Sequence, residues 1–397
     1  MIIPAADRLN TVEEYYFSLK LQEIRQMATR GIAVINLGIG SPDLPPSPAT
    51  IDRLAASARN PRNHGYQSYK GSPELRKAIA EYIASTNGVT LDPETEILPL
   101  PGSKQGMIYV ALAYLNAGDR VLVSELSYPT YTSVSRLAGG SIAVYPLDAA
   151  NDWAPDWSAL EKMDLSGVKL LWANYPHMPT GAPASRATLQ RLVDFARERR
   201  VLIVHDNPYA MLGTTLHPLS ILACDGAKEV AVEFGSMSKS HNMAGWRIGW
   251  VTGRKDYVDT ILKVASNVES GMFLAAQEAA IEALRAAPEW YTSLQKEYAE
   301  RRSLGNAIMR QLGCSVAEGQ AGMFVWARTP DHAPEAKVLS DAILHTSHVF
   351  IAPGSIFGPA GARYLRLSLC SPTGVLSSAL EAIRSFSMPA AARETAS

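Results

Sequence analysis

The sequence of 397 residues contains little cysteine and no long apolar run. Its three cysteines, Cys224, Cys314 and Cys370, are far apart, and neither a CxxC pair nor a His/Cys cluster occurs. This pattern predicts no disulfide framework and no zinc site, and it favours a reducing cytoplasm. No apolar run reaches the roughly 18 residues that span a bilayer. The start, MIIPAADRLN, has no signal-peptide features, so we expect a soluble, cytoplasmic protein.

An excess of charge of either sign is also missing. Lys and Arg number 37 against 38 Asp and Glu, which gives a formal net charge of -1, and no basic run stands out. Nucleic acid is therefore not expected as the main partner. Apolar residues at 47 % and charged residues at 19 % are typical of a globular enzyme. The length favours two domains.

The middle of the chain alternates β-rich runs with amphipathic helical patterns. The helical patterns cover 104–115 and 185–200, and the strand patterns cover 120–125, 168–176, 201–206, 229–236 and 247–253. Because the strand patterns are almost continuously apolar, they predict strands buried on both faces of a mostly parallel sheet. The alternation predicts a doubly wound α/β domain.

The pattern changes after about residue 285. A long charged helix is predicted at 289–312, followed by strands at 322–328, 348–353 and 363–369, which is typical of a smaller α+β domain. The first 30 residues predict a helix outside the central sheet. We therefore expect a large domain over 45–285, and a small domain formed by 1–44 together with 286–397.

Polar residues follow three of the predicted strands. Asn174, Asp206 and Ser236 each come at a strand end. In a parallel sheet the carboxyl ends of the strands face the ligand, so these residues indicate a site, although helix caps would give the same pattern.

The segment SMSKSHNMAGWRIGW, residues 236–250, places Lys239 in a serine-rich turn and Arg247 eight residues later. Serines, a lysine and an arginine on one loop form a suitable phosphate site. A surface lysine on a polar loop is the alternative that these residues alone leave open.

The same segment resembles the S-x-S-K-x(5)-G-x-R-x-G signature of the class I/II aminotransferases, the fold-type-I pyridoxal-phosphate enzymes. Further motifs resemble that family in the expected order over roughly residues 30 to 380: LGIGSPDLPP (37–46), YQSYKGSPELR (66–76), GSK (102–104), SYPTY (127–131), NYPHMPTG (174–181), DNPY (206–209), and PGSIFG with YLRLS (353–368).

The resemblance implies the activity and the fold. We expect a large domain with a mostly parallel seven-stranded sheet flanked by helices. We expect pyridoxal 5′-phosphate as cofactor and transfer of an amino group from an L-amino acid to a 2-oxo acid through a Lys239 Schiff base. Another fold-type-I enzyme, such as an amino-acid oxidase, a β-elimination lyase or a cyclase, is the alternative. A ligand sensor for transcription is a further alternative.

The resemblance also implies roles around the cofactor ring. Lys239 would form the resting imine and move the substrate proton. Asp206 would keep the ring nitrogen protonated, since an opposite charge favours the charged form. Tyr209 would donate to the phenolate oxygen, and Tyr128 would stack on the ring.

The phosphate site implied by the resemblance is shared between several segments and two subunits. Its members within one chain are Gly102, Ser103, Lys104, Ser236 and Arg247, the first three at a helix N-terminus that favours an anion. Tyr66 would reach the phosphate of a neighbouring subunit, which implies a homodimer with shared active sites.

For the substrate, the resemblance implies that Arg366 binds the α-carboxylate as a bidentate pair and that Gly40 adds a backbone N–H. Tyr15 is a candidate aromatic residue of the lid, and helix packing would explain it equally well.

One position departs from the family pattern. In NPTG the family places an asparagine that donates to the phenolate oxygen, and this sequence has Met178 there. Loss of that donor is expected to cost about 1.5–3 kcal/mol at the contact and to raise the pKa of the imine. Asn174 and His177 are nearby replacements; alternatively, Met178 packs on the ring and Tyr209 alone serves the oxygen.

Overall fold

A computed structural model describes residues 2–12, 16–183, 185–212 and 217–388. Its α-helices within these ranges are α1 Tyr16–Thr29, α2 Pro48–Ala58, α3 Pro73–Asn87, α4 Ser103–Tyr114, α5 Pro129–Leu137, α6 Trp157–Leu160, α7 Arg186–Arg199, α8 Ala227–Val230, α9 Met237–Ser240, α10 Lys255–Val268, α11 Leu274–Leu284, α12 Pro288–Gln311, α13 Ala336–Ser347 and α14 Thr373–Ile383. Short 3-10 segments lie at Asp7–Thr11, Pro61–His64, Ile221–Ala223, Ala244–Trp246, Gly354–Phe357 and Pro359–Gly361.

The strands of the described residues are β1 Ile35–Asn36, β2 Ile97–Leu100, β3 Arg120–Ser124, β4 Ser141–Tyr145, β5 Leu147–Asp148, β6 Ala154–Pro155, β7 Val168–Asn174, β8 Leu202–Asp206, β9 Ala231–Ser236, β10 Gly249–Gly253, β11 Ser315–Val316, β12 Phe324–Arg328, β13 Val349–Phe350, β14 Ala352–Pro353 and β15 Tyr364–Ser368.

The largest sheet has seven strands in the order β2-β10-β9-β8-β7-β3-β4. The pairs from β9 to β4 are parallel, whereas β10 runs antiparallel to both β9 and β2. The predicted α/β fold with a mostly parallel seven-stranded sheet is confirmed.

The centre of this sheet shows why the predicted strands are apolar throughout. Every residue of β8 is buried. Ile203 faces one apolar core, whereas Leu202 and Val204 face the other. Because strand side chains alternate between faces, both sets must be apolar where helices cover both sides.

The smaller four-stranded sheet is antiparallel, in the order β11-β12-β15-β14. The N-terminal segment joins this part of the chain: β1 pairs in parallel with β13, and the Ser368 N–H donates to the Leu37 carbonyl at 2.7 Å. Lys20 of α1 also pairs with Asp341 of α13 at 2.8 Å. These contacts support our proposal that 1–44 and 286–397 form one small domain and 45–285 the large domain.

Two features bear on the environment of the protein. Cys224, Cys314 and Cys370 are free thiols, and all three are buried. Among the described residues, no helix has the length and apolar character that crossing a membrane requires.

Candidate active site

Three polar strand ends meet at one edge of the seven-stranded sheet. Asn174, Asp206 and Ser236 are the last residues of β7, β8 and β9, which are neighbours. Because these strands are parallel, their carboxyl ends face the same cavity, which has a volume of about 600 Å³.

Most of the site residues predicted from the sequence line this cavity. They are Gly40, Ser103, Lys104, Tyr128, Asn174, Met178, Asp206, Tyr209, Ser236, Lys239, Arg247 and Arg366. The cavity therefore brings together residues that the sequence separates by more than 300 positions.

Lys239 lies on the single-turn helix α9, directly after β9. Ser236 caps that turn by accepting from the Ser238 N–H at 3.2 Å. The Lys239 ammonium donates to the Gly40 carbonyl at 2.6 Å. Burial is the main cause that lowers the pKa of Lys239; the Cys370 thiol acts in the opposite direction, and the positive charges of Arg366 and Arg247 lower the pKa further. A lowered pKa favours the neutral amine, which is the nucleophilic form.

Asp206 has one satisfied and one unsatisfied carboxyl oxygen. Its Oδ2 accepts from the Tyr131 hydroxyl at 2.7 Å, whereas its buried Oδ1 has no hydrogen-bond partner among the described residues. Burial raises the pKa of Asp206 to about 6, although the Tyr131 hydrogen bond acts in the opposite direction. A buried carboxylate oxygen without a hydrogen-bond partner would stabilise a cation or a hydrogen-bond donor that enters the cavity.

The start of α4 and Arg247 come together at the cavity wall. Gly102 precedes α4 with φ 92°, and a Cβ at Gly102 would collide with the Arg247 guanidinium. Gly249 also packs closely, because its Cβ would come within 2.8 Å of the Ser103 nitrogen. Backbone N–H groups at a helix N-terminus together with an arginine favour a bound phosphate.

A buried cation also lines the cavity. Arg366 of β15 is 4 % exposed, and its Nη2 donates to the Gly38 carbonyl at 2.8 Å. The guanidinium carbon lies 3.9 Å from the ring centroid of Phe324 and 4.5 Å from that of Phe357. This arrangement suits a carboxylate, because a guanidinium pairs with it through two parallel hydrogen bonds.

The turn after β7 holds Met178 at the cavity wall. The Met178 N–H donates to Asn174 Oδ1 at 2.8 Å, and Asn174 Nδ2 donates to the Asp206 carbonyl at 2.6 Å. The two ring nitrogens of His177 contact Thr180 Oγ1 at 2.8 Å and the Leu126 carbonyl at 3.1 Å. Burial lowers the pKa of His177 to about 4. Because the Asn174 and His177 side chains already form hydrogen bonds within the protein, the arrangement favours Tyr209 as the donor to the phenolate oxygen.

Tyr209 and Tyr128 both line the cavity, as predicted for residues beside the ring. The Tyr209 ring packs edge-on against Phe324 at 6.0 Å, and burial raises the pKa of its hydroxyl, with the Arg366 charge acting in the opposite direction. Lys104 Nζ lies 5.8 Å from the centroid of the Tyr128 ring.

Among the described residues, two of those predicted from the sequence do not line the cavity. Gly102 lies against Arg247, which does line the cavity. Tyr66 does not line the cavity of its own chain and is 93 % exposed. Tyr15 lies outside the described residues.

Sequence reasoning missed Tyr131, Phe324 and Phe357. Tyr131 is the last letter of SYPTY and stacks on Trp172 at 4.9 Å, which orients its hydroxyl toward Asp206. The two phenylalanines resemble ordinary core residues in the sequence, and no local pattern distinguishes their contact with Arg366.

Comparison with known proteins now decides the family. Residues 32–383 match the family model for aminotransferase class I and II. The chain belongs to this family. As a class I and II aminotransferase, the protein is a pyridoxal-phosphate-dependent transaminase.

Named relatives of this aminotransferase share almost its full length. It is 37 % identical over 380 residues to the LL-diaminopimelate aminotransferase of Nitratidesulfovibrio vulgaris, covering 95 % of this chain and 98 % of the relative. It is 35 % identical to the LL-diaminopimelate aminotransferase of Aquifex aeolicus, covering 96 % and 99 %. Among solved structures, substrate-bound BacF from Bacillus subtilis has a TM-score of 0.92 and 34 % identity, covering 98 % and 99 %.

The cavity of this aminotransferase fits pyridoxal 5′-phosphate by its own chemistry. The unsatisfied Asp206 Oδ1 suits a protonated ring nitrogen, and the start of α4 with Arg247 suits the phosphate. When bound, the cofactor accepts the electrons that remain when an amino acid loses its α-proton.

Proposed function

We propose that this aminotransferase moves the amino group of an L-α-amino acid to a 2-oxo acid, with LL-diaminopimelate as the first donor to test. The observation that carries the proposal is that a half-buried amine and a buried guanidinium share one cavity. Lys239 and Arg366 both line it, and Asp206 lies at the strand edge of the same cavity. The names of the full-length relatives support the choice of donor.

In this proposal Lys239 and Arg366 divide the work on the substrate. Arg366 binds the α-carboxylate and, together with the backbone at Gly40, orients the α-carbon. The Lys239 amine would accept the α-proton at Nζ, a role that its lowered pKa favours.

The remaining residues would hold the cofactor. Asp206 pairs with the ring nitrogen, Tyr209 donates to the phenolate oxygen, and Tyr128 covers one ring face. The phosphate is held by Gly102, Ser103, Lys104, Ser236 and Arg247.

We also propose that the active unit is a homodimer in which Tyr66 completes the phosphate site of the partner subunit. Tyr66 is 93 % exposed, so its hydroxyl is available to a second chain. Other exposed apolar side chains lie in segments next to it: Tyr69 follows closely, and Phe273 packs on His64 with ring centroids 5.7 Å apart. Large exposed apolar groups in adjoining segments favour an interface. The free cysteines support a cytoplasmic location.

A panel of amino donors tests the reaction directly. The purified protein, loaded with cofactor, is mixed with LL-diaminopimelate or another L-amino acid, first without an acceptor and then with 2-oxoglutarate or pyruvate. We expect stoichiometric release of the 2-oxo acid with conversion of the cofactor to its amine form, and turnover only when an acceptor is added.

Lys239→Ala supplies the matched control for that panel. We expect this variant to lose the visible absorbance of the lysine-bound cofactor and to lose turnover by at least about a thousandfold, since nucleophile and proton carrier are removed together. Release of ammonia by the unsubstituted protein would instead support an oxidase or a lyase, and an unchanged spectrum in Lys239→Ala would contradict the assigned lysine.

A further inference from the structure

The contact between Met178 and Arg366 points to a role for the residue that departs from the family motif. The inference rests on the proposed function, in which Arg366 binds the substrate carboxylate. Arg366 Nη1 lies 3.4 Å from Met178 Sδ, within the range of an N–H···S hydrogen bond. A thioether sulfur is a weak acceptor and cannot donate.

Met178 is held where it can make this contact. Its side chain is 5 % exposed, and its N–H donates to Asn174 Oδ1 at 2.8 Å. Asn174 in turn donates to the Asp206 carbonyl at 2.6 Å. A continuous set of contacts therefore joins the carboxylate-binding arginine to the strand that carries the ring-nitrogen acid.

The Met178 sulfur is one of several neutral groups in contact with the Arg366 guanidinium. Nη2 donates to the Gly38 carbonyl, Nη1 contacts the Met178 sulfur, and the Phe324 ring lies 3.9 Å from the guanidinium carbon. Neutral acceptors orient a guanidinium without cancelling its charge, whereas a carboxylate in the same place would compete with an anionic substrate.

We propose that Met178 is a positioning residue for substrate binding: its sulfur orients Arg366 for the substrate α-carboxylate and, being neutral, does not itself cancel the charge that binds that carboxylate. Met178 acts on the substrate through Arg366, so its effect belongs to binding of the substrate rather than to the proton transfer by Lys239.

Met178→Leu tests the inference because leucine keeps an apolar side chain of similar volume and removes the sulfur acceptor. L-Glutamate and L-alanine serve as probes, since one of them is the amino product of whichever acceptor supports turnover. We expect KM for that probe to rise about three- to tenfold while kcat stays within about twofold, because a weak hydrogen bond to a charged group is lost.

The spectrum of the bound cofactor gives a second readout. In Met178→Leu the pKa of the visible band should equal that of the unsubstituted protein, because neither side chain donates to the phenolate oxygen. In Met178→Asn the amide adds a donor that stabilises the deprotonated form, so the pKa of the band should fall by about one unit or more. An unchanged pKa in Met178→Asn would show that residue 178 does not lie beside that oxygen.

Met309→Leu is the control for exchanging a buried methionine. Met309 is buried in α12 and does not line the cavity, so KM, kcat and the pKa of the band should match the unsubstituted protein. A KM in Met178→Leu that also matches would overturn the positioning role.

Arg366→Lys separates this inference from the proposed function. Lysine keeps the charge and loses the planar fork, so we expect KM to rise at least about tenfold. If Arg366→Lys raises KM and Met178→Leu does not, only the role of Met178 fails. If Arg366→Lys leaves KM unchanged, the assignment of the carboxylate site itself fails.

Discussion

At the scale of single residues, Asp206 connects cofactor binding to the stability of the protein. Its pKa is raised to about 6 because burial disfavours the carboxylate, and only one oxygen receives a hydrogen bond, from Tyr131. The ordinary pKa of an aspartate is 3.8. Without cofactor the folded protein therefore holds a proton that the unfolded chain releases between these two values.

This difference in pKa predicts that the stability of the cofactor-free protein depends on pH. Because the folded state binds more protons than the unfolded state between about pH 4 and 6, the free energy of unfolding falls as pH rises through this window. Because the pKa of Asp206 rises from 3.8 to about 6, the free energy of unfolding falls by about 3 kcal/mol across the window. Asparagine does not titrate, so Asp206→Asn lacks this pH dependence. The free energy of unfolding of the variant minus that of the unsubstituted protein should therefore rise by up to about 3 kcal/mol from pH 4 to 7.

Urea unfolding of both cofactor-free proteins across this range measures the effect. His177 and His241, whose pKa values are lowered by burial to about 4 and about 3, titrate in both proteins and cancel in the difference. A difference between the two proteins that does not change with pH would show that Asp206 is not the buried acid described above.

At the scale of elements, the start of α4 depends on a close approach between two loops. Gly102 has φ 92°, a conformation that favours glycine, and a Cβ there would collide with the Arg247 guanidinium. Arg247 itself has φ 58°, which is uncommon for a residue with a side chain. The backbone therefore brings an arginine next to a helix N-terminus, the arrangement that the proposed phosphate site requires.

Gly102→Ala should weaken cofactor binding by displacing Arg247. We expect the dissociation constant of pyridoxal phosphate to rise at least about tenfold, because a charge-assisted hydrogen bond to the phosphate is lost. Equilibrium dialysis of the cofactor measures this constant.

Gly118→Ala is the matched control. Gly118 also has φ 92°, but nothing lies within 4 Å of the position that its Cβ would take. Both variants should lose about 1 kcal/mol of stability from the backbone conformation, and only Gly102→Ala should lose cofactor affinity. Equal affinity losses in the two variants would assign the effect to backbone strain.

At the scale of the whole molecule, the proposed homodimer explains why a predicted phosphate ligand lies outside its own cavity. Tyr66 is 93 % exposed, although its motif resembles one that binds the cofactor phosphate in the family. An exposed tyrosine can serve the site of a second chain.

Tyr66→Phe tests the shared site, since it removes the hydroxyl and keeps the ring. We expect the dissociation constant of the cofactor to rise roughly tenfold, as for one lost hydrogen bond to a charged group, while the dimer persists. Sedimentation equilibrium should give twice the chain mass of 42.9 kDa for both proteins. If the unsubstituted protein sediments at the mass of one chain, the homodimer is contradicted. If Tyr66→Phe leaves the dissociation constant of the cofactor unchanged, the role of the Tyr66 hydroxyl is contradicted.

The two edge strands of the large sheet were not predicted from the sequence. The five strands identified from the residues are five of the seven strands of this sheet, and those missed, β2 and β4, form its two edges. Strand β2 contains Pro99, which weakens a strand prediction, and β4 exposes Ser141 and Val144. Strand β2 is buried throughout, so only its shortness and its proline hide it, whereas β4 lacks the continuous apolar pattern of strands buried on both faces.

The sequence by itself determined the α/β alternation of the five central strands, the lysine turn and the acid at the end of β8. Each of these depends on a local pattern: apolar periodicity, glycine and serine turns, or a polar residue after a strand. Only the tertiary structure decided that Tyr131 binds Asp206, that Gly102 makes room for Arg247, and that Met178 contacts Arg366 across 188 positions. Such contacts arise from the packing of distant elements, and local periodicity contains no information about the distance between them.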